Sequence, residues 1–127
     1  MRRLIKFSTL SMILLFPTLA HGQTLTGPQK NAVRSAKSYL SFQGFSREGL
    51  IEQLSSDYGE GYEVKDATIA ADSLSINWDD QAVRVAKSYL SFQGFSCRGL
   101  IQQLSSDAGE KFTESQAKHG AQKAGAC

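Results

Sequence analysis

Apolar side chains recur at three- and four-residue intervals from about residue 28 onward, and no stretch shows the strict alternation of a half-buried strand. At the start of this pattern, Pro28 suits the first position of a helix that Thr26 or Gly27 would cap. Gly44 suits the left-handed residue that ends such a helix. The spacing therefore predicts a helix over residues 28–43, and its apolar face is formed by Ala32, Val33, Ala36 and Leu40.

A second and a third helix follow, each with its own start. Ser46 is a typical N-cap residue, and it predicts a second helix that is closed by Gly59. A third helix is predicted over residues 64–75 from its helical periodicity. The buried positions expected in these two helices are Leu50, Ile51 and Leu54, and then Val64, Ala67, Ala71 and Leu74.

The same pattern occurs twice in the chain. Residues 31–60 and 81–110 are identical at 24 of 30 positions without a gap. Because such repeats are typical of copied supersecondary units that pack on their neighbours, we predict an all-α fold of two three-helix repeats. Repeat 1 is assigned to residues 23–77 and repeat 2 to residues 78–127, with Trp78 packing at their junction. Gly120 lies inside the last helix and costs about 1 kcal/mol relative to alanine, so that helix is expected to be weaker.

Residues 1–22 have the three-part pattern of a secretory signal peptide. A basic start precedes an uncharged, mostly apolar run over residues 7–16. Ala20-His21-Gly22 then has small residues at the −3 and −1 positions of a cleavage site before Gln23. The apolar run is about half the length that a membrane-spanning helix needs. We therefore expect an exported protein, periplasmic or associated with the cell envelope, with no transmembrane helix in its mature form.

Charge distribution suggests which partners the mature chain could bind. Without residues 1–22 it carries 11 basic and 12 acidic side chains, a net charge of −1, so no nucleic-acid partner is predicted. Residues 48–80 carry nine acidic side chains against Lys65 alone. Such a segment can attract a basic protein, although a solvated surface without a partner explains the same pattern. The candidate partner-binding residues are Glu48, Glu52, Asp57, Glu60, Glu63 and Asp66.

Patterns for catalysis or metal binding are not found in the sequence. His119 is the only histidine after residue 22, and it does not have metal-type spacing to Cys97 or Cys127. Acid pairs such as Asp57 and Glu60 are interpreted as solvated loop residues, because glycoside chemistry requires a cleft and a raised pKa. We therefore predict no catalytic residue, no metal and no cofactor, and the protein is not expected to be an enzyme.

The two cysteines have three possible states in an exported protein. Cys97 lies in the first turn of a predicted helix, and Cys127 is the last residue. An intramolecular disulfide between them is favoured by the oxidising compartment, while an intermolecular disulfide and two free thiols remain open.

The repeated pattern AVRxAKSYLSFQGFSxxGLIxQLSSDxGE, placed behind a signal peptide, resembles the Ltp family of host cell surface-exposed proteins. These are phage- and prophage-encoded superinfection-exclusion proteins, and the resemblance covers residues 29–124. It implies two helix-turn-helix-like repeats that act outside the cytoplasmic membrane and block DNA injection by a second phage. Family members usually carry a lipid-attachment cysteine, whereas residues 20–23 read Ala-His-Gly-Gln. A lipoprotein cysteine is therefore not predicted here.

The function expected from the resemblance is that of an exported superinfection-exclusion protein. Its implied partner is an injection component of the second phage, such as the tape-measure protein. The alternative is a periplasmic inhibitor or adaptor that binds a host protein. A prophage location of the gene would favour the first function, and a host operon would favour the second.

Overall fold

The computed structural model describes residues 24–127, and this part of the chain contains six α-helices and no strand. The prediction of an all-α fold with two three-helix repeats is confirmed. The predicted signal peptide lies outside the described residues. Repeat 1 contains α1 (Gly27–Phe42), α2 (Arg47–Ser55) and α3 (Val64–Ser73), and repeat 2 contains α4 (Trp78–Phe92), α5 (Cys97–Ser105) and α6 (Glu114–Ala124).

The helices begin at side chains that satisfy unpaired main-chain N–H groups. Thr26 and Gln29 form a reciprocal capping box at the start of α1. Ser46 accepts a hydrogen bond from the N–H of Gly49 at 2.9 Å, and Asn77 caps α4 in the same manner. Each such cap typically stabilises a helix by about 1 kcal/mol, which explains why these residues fix the helix starts.

Each repeat has its own core, in which the third helix packs against both the first and the second. Leu50 and Leu54 are fully buried in repeat 1, and Leu100 and Leu104 take the same positions in repeat 2. Alanines on the facing sides of the first and third helices are also fully or almost fully buried, and their small side chains let these helices approach closely.

The third helix of repeat 1 differs from the prediction in two respects. Val64 was expected in the core, but it is 64% exposed, and Ala70 completes the buried face of α3 instead. The last helix, α6, has 11 residues and begins at a capping box formed by Thr113 and Gln116, and its expected lower stability stays a prediction. At Gly120 an added Cβ would lie only 2.7 Å from the main-chain oxygen of Ala82, so glycine permits the close packing of α6 on α4.

The repeats contact each other through the turn between α1 and α2. Gly44 in this turn was predicted to be left-handed, but the described glycines with positive φ are Gly61 and Gly125. Glycine is required at position 44 for a different reason. A Cβ there would lie 2.7 Å from Cγ2 of Val85 on α4, so its absence allows repeat 2 to approach.

Hydrogen bonds fix the orientation of this contact. The N–H of Phe45 donates to the side-chain oxygen of Gln81 at 3.2 Å. Arg84 donates from its guanidinium group to the main-chain oxygen of Leu40 at 2.5 Å. Trp78, the first residue of α4, packs against the core of repeat 1, where the sequence placed it at the junction. Repeat 1 therefore uses the turn that ends α1 to hold the first helix of repeat 2.

Candidate protein-binding surface

Five of the six candidate acidic residues are exposed on repeat 1, namely Glu60 and four others. Glu48 and Glu52 lie one helical turn apart on α2, and their side chains are 65% and 57% exposed. Asp57 lies exposed in the loop after α2, and Glu63 immediately precedes α3 with a 75% exposed side chain. We call these four residues the acidic surface. Their carboxylates are accessible to a protein partner without any change in the fold.

Asp66 is not part of this surface. It is only 7% exposed, and its carboxylate accepts a hydrogen bond from the side-chain amide of Gln29 at 3.1 Å. The reason is helical spacing, because Asp66 and the buried Ala70 lie one turn apart on the inward face of α3. The prediction that Asp66 binds a partner is therefore wrong, and its role is to connect α3 with the start of α1.

Glu60 is exposed, but its carboxylate is held within repeat 1. The hydroxyl of Tyr39 donates to Glu60 at 2.6 Å, and the side-chain amide of Gln53 donates to the same hydroxyl at 3.3 Å. The hydrogen bond to Glu60, with some burial, raises the pKa of Tyr39 above its ordinary value. Repeat 2 contains the same arrangement, in which Tyr89 donates to Glu110 at 2.5 Å. Glu60 is therefore a structural residue of the repeat, in contrast to the four acids of the acidic surface.

Glu52 has a second role, because it forms an ion pair with Lys111 of repeat 2. This hydrogen bond raises the pKa of Lys111, and attraction to Asp107 and Glu48 adds to the effect. Lys111 has a left-handed backbone with φ of 61°, whereas its equivalent in repeat 1 is Gly61 with φ of 68°. A lysine in this conformation is strained relative to glycine, and its side chain is held by the ion pair with Glu52. Lys111 was not singled out in the sequence, because only the junction brings it to Glu52.

A different bond links the second and third helices in each repeat. In repeat 1, Arg47 donates to both carboxylate oxygens of Asp72, at 2.8 and 2.9 Å. In repeat 2, the residue equivalent to Arg47 is Cys97, which forms a disulfide with Cys127. Both links join the first turn of the second helix to the end of the third helix or the residues that follow it.

Two phenylalanines at equivalent helix ends were not predicted as functional residues. Phe42 is 83% exposed and Phe92 is 86% exposed. Together with Gly44, Arg84 and Tyr89 they line a cavity of about 240 Å³ beside the repeat junction. The sequence offers one indication of this site, because both phenylalanines end a helix outside its predicted apolar face.

Within residues 24–127 no group of three or more histidine, cysteine, aspartate or glutamate side chains could hold a metal ion. In this same part of the chain, no helix is both long enough and apolar enough to cross a membrane.

The arrangement of the repeats is similar to that of a solved structure. That structure is described as Ltp, a superinfection exclusion protein from the Streptococcus thermophilus temperate phage TP-J34. The two proteins share 27% sequence identity with a TM-score of 0.69, over 78% of this chain and 97% of that chain. A comparison with curated proteins gave no match.

The family comparison covers both repeats separately. Residues 28–74 and residues 77–123 each match the family described as host cell surface-exposed lipoprotein. These two segments together make up more than half of the chain, and they coincide with the two three-helix units of the structure. The resemblance drawn from the repeated pattern is therefore confirmed, and this chain belongs to the Ltp family of host cell surface-exposed lipoproteins.

Proposed function

We propose that this protein acts outside the cytoplasmic membrane in superinfection exclusion, by binding a protein that a second phage uses to inject its DNA. The observation that carries the proposal is the similarity to the phage TP-J34 exclusion protein, which extends over 97% of that chain and includes both repeats. The tape-measure protein is the partner we expect, because it is elongated and two repeats at a fixed spacing can engage such a partner together.

The acidic surface supports binding as the mode of action. Its side chains are exposed, and charges of one sign accelerate the encounter with an oppositely charged partner. The equivalents of Glu48, Glu52 and Glu63 in repeat 2 are Arg98, Gln102 and Thr113. Repeat 1 should therefore provide most of the attraction for a basic partner. We expect no catalytic activity. The protein would act by binding its partner.

Plaque formation tests this proposal. Cells that express the full chain should form fewer plaques with at least one phage than cells with an empty vector. Cells that express the chain without residues 2–22 should remain sensitive, because the protein then stays in the cytoplasm. Full sensitivity of both strains to every phage tested would instead favour an adaptor that binds a host protein.

A further inference from the structure

The turn after the first helix has the same sequence in both repeats but different surroundings. Residues 41–46 and residues 91–96 both read Ser-Phe-Gln-Gly-Phe-Ser. In repeat 1, Gly44, Phe45 and Ser46 are buried, because α4 packs on Gly44 and Phe45 and the hydroxyl of Ser46 donates to the main-chain oxygen of Glu110 in the loop after α5. In repeat 2, Gly94 and Ser96 are exposed. The turn in repeat 1 thus contacts a helix of the other repeat, whereas the turn in repeat 2 contacts no such helix.

The occupied turn indicates what this sequence binds. It accepts one face of α4 through three residues, Gln81, Arg84 and Val85, which lie at positions i, i+3 and i+4 of that helix. Gln81 accepts from the turn N–H, Arg84 donates to the last turn of α1, and Val85 fits where Gly44 has no side chain. The contact therefore combines two directed hydrogen bonds with close backbone approach.

In the turn of repeat 2, the groups equivalent to those that bind α4 have no partner among the described residues. Among residues 24–127, neither the N–H of Phe95 nor the main-chain oxygen of Leu90 has a hydrogen-bond partner, and nothing lies within 4 Å of a Cβ added at Gly94. The turn is held in place without an occupant. Ser96 caps α5 through Gly99, and Tyr89 and Phe95 pack edge to face with ring centroids 5.6 Å apart.

We propose that the turn at residues 90–96 is a preformed binding site for an α-helix of a partner protein. The helix would present glutamine or asparagine at position i, arginine at i+3 and a small β-branched residue at i+4. This assignment follows from the intramolecular contact and goes beyond the superinfection-exclusion role, since it concerns a different surface from the acidic one.

A second copy of this chain is a poor occupant for the site. The helix equivalent to α4 is α1, which has an amide and an arginine at the same positions, Asn31 and Arg34, but offers Ser35 where α4 has Val85. The Ser35 hydroxyl is already hydrogen-bonded to Tyr62 at 3.0 Å, so it presents a polar, occupied group in place of a methyl group. Docking through α1 would also place Gly61 at the position that Lys111 has in the contact between the two repeats. The ion pair between Lys111 and Glu52 would then have no equivalent. The partner is therefore a helix of another protein.

The probe for the test is a synthetic peptide with the sequence of residues 77–93. A lactam between Asp79 and a lysine introduced by Val83→Lys keeps it helical on the side opposite Gln81 and Arg84, and circular dichroism verifies its helicity. Titration into the mature, disulfide-bonded chain is followed by amide NMR shifts. We expect shifts at Gly94, Phe95 and Ser96.

Two variants are the matched controls for this titration. Gly94→Ala has open space in the free chain, so the fold is retained, but its Cβ would contact the bound helix and weaken binding about tenfold. An Arg84→Ala peptide should also bind more weakly. Absence of shifts at residues 94–96 with millimolar helical peptide would overturn the proposal. So would equal binding by Gly94→Ala, or self-association of the chain through this turn.

Discussion

Arg47 and Asp72 form a two-pronged ion pair in repeat 1 at the place where repeat 2 has the Cys97–Cys127 disulfide. The two repeats thus use a noncovalent and a covalent link for the same structural purpose, which is to join the second helix to the end of the repeat. The two links differ in strength. The ion pair is 38% and 52% exposed, and exposed pairs typically contribute less than about 1 kcal/mol.

The first prediction concerns this difference. Closing a loop with a sequence separation of 30 stabilises the folded chain by about 3–4 kcal/mol in the chain-entropy account. Replacing both Cys97 and Cys127 by serine should therefore lower the free energy of unfolding by that amount, whereas Arg47→Ala should lower it by less than about 1 kcal/mol. Urea unfolding measures both changes. Equal stability of the double serine variant and the parent would contradict the prediction. A reductant should not change the free energy of unfolding of this variant.

The same ion pair predicts a dependence on pH. Hydrogen bonds from Arg47 hold the pKa of Asp72 below its ordinary value. A carboxyl with a lower pKa in the folded state contributes stability above its unfolded pKa of about 4, and this contribution is lost as the pH falls through the folded-state pKa. From pH 7 to pH 2, the parent should lose up to about 1 kcal/mol more than Asp72→Asn. Parallel profiles of the free energy of unfolding would show that the pair has no such role.

Glycines with the same sequence context provide a matched pair at the repeat junction. Gly44→Ala places a Cβ 2.7 Å from Val85 and should lower the free energy of unfolding by about 1–3 kcal/mol. Gly94→Ala has nothing within 4 Å and should be neutral or stabilise by up to about 1 kcal/mol. Thermal or urea unfolding of the two variants compares these effects. If both variants are equally stable, the junction described above does not form in solution.

These glycines also show what the sequence could and could not predict. Helix starts at Thr26 and Ser46 were predictable, because capping is local and depends on a few neighbouring residues. The burial of Gly44 was not predictable from the sequence. Gly94 has the same neighbouring residues but is exposed, and only the packing of one repeat on the other distinguishes the two glycines. Asp66 was misassigned for a related reason. Its charge suggested the surface, but its inward position on α3 depends on where α1 packs.

The acidic surface predicts a charge effect on partner binding. Glu48→Lys with Asp57→Lys changes the charge of repeat 1 by four units at exposed positions that are outside the core. The association rate with a basic partner should fall about tenfold or more at low ionic strength, because steering acts on the encounter. Surface plasmon resonance at two salt concentrations with the purified partner measures this rate.

The control for this prediction makes the same change in repeat 2. Glu114→Lys with Gln102→Lys and Gln122→Lys also adds four units, and all three positions are exposed. It should leave the association rate nearly unchanged. If the repeat 2 variant slows association while the repeat 1 variant does not, the acidic surface is only a solvated face of the protein.

The central claim, that this chain blocks DNA injection by a second phage, is tested most directly by measuring phage adsorption and DNA injection separately. Cells that express the chain should adsorb the phage as well as control cells do. The amount of phage DNA inside them, measured by quantitative PCR after infection, should be strongly reduced. Loss of adsorption would instead indicate that the protein masks a receptor, and normal injection of DNA by every phage tested would contradict the proposed function.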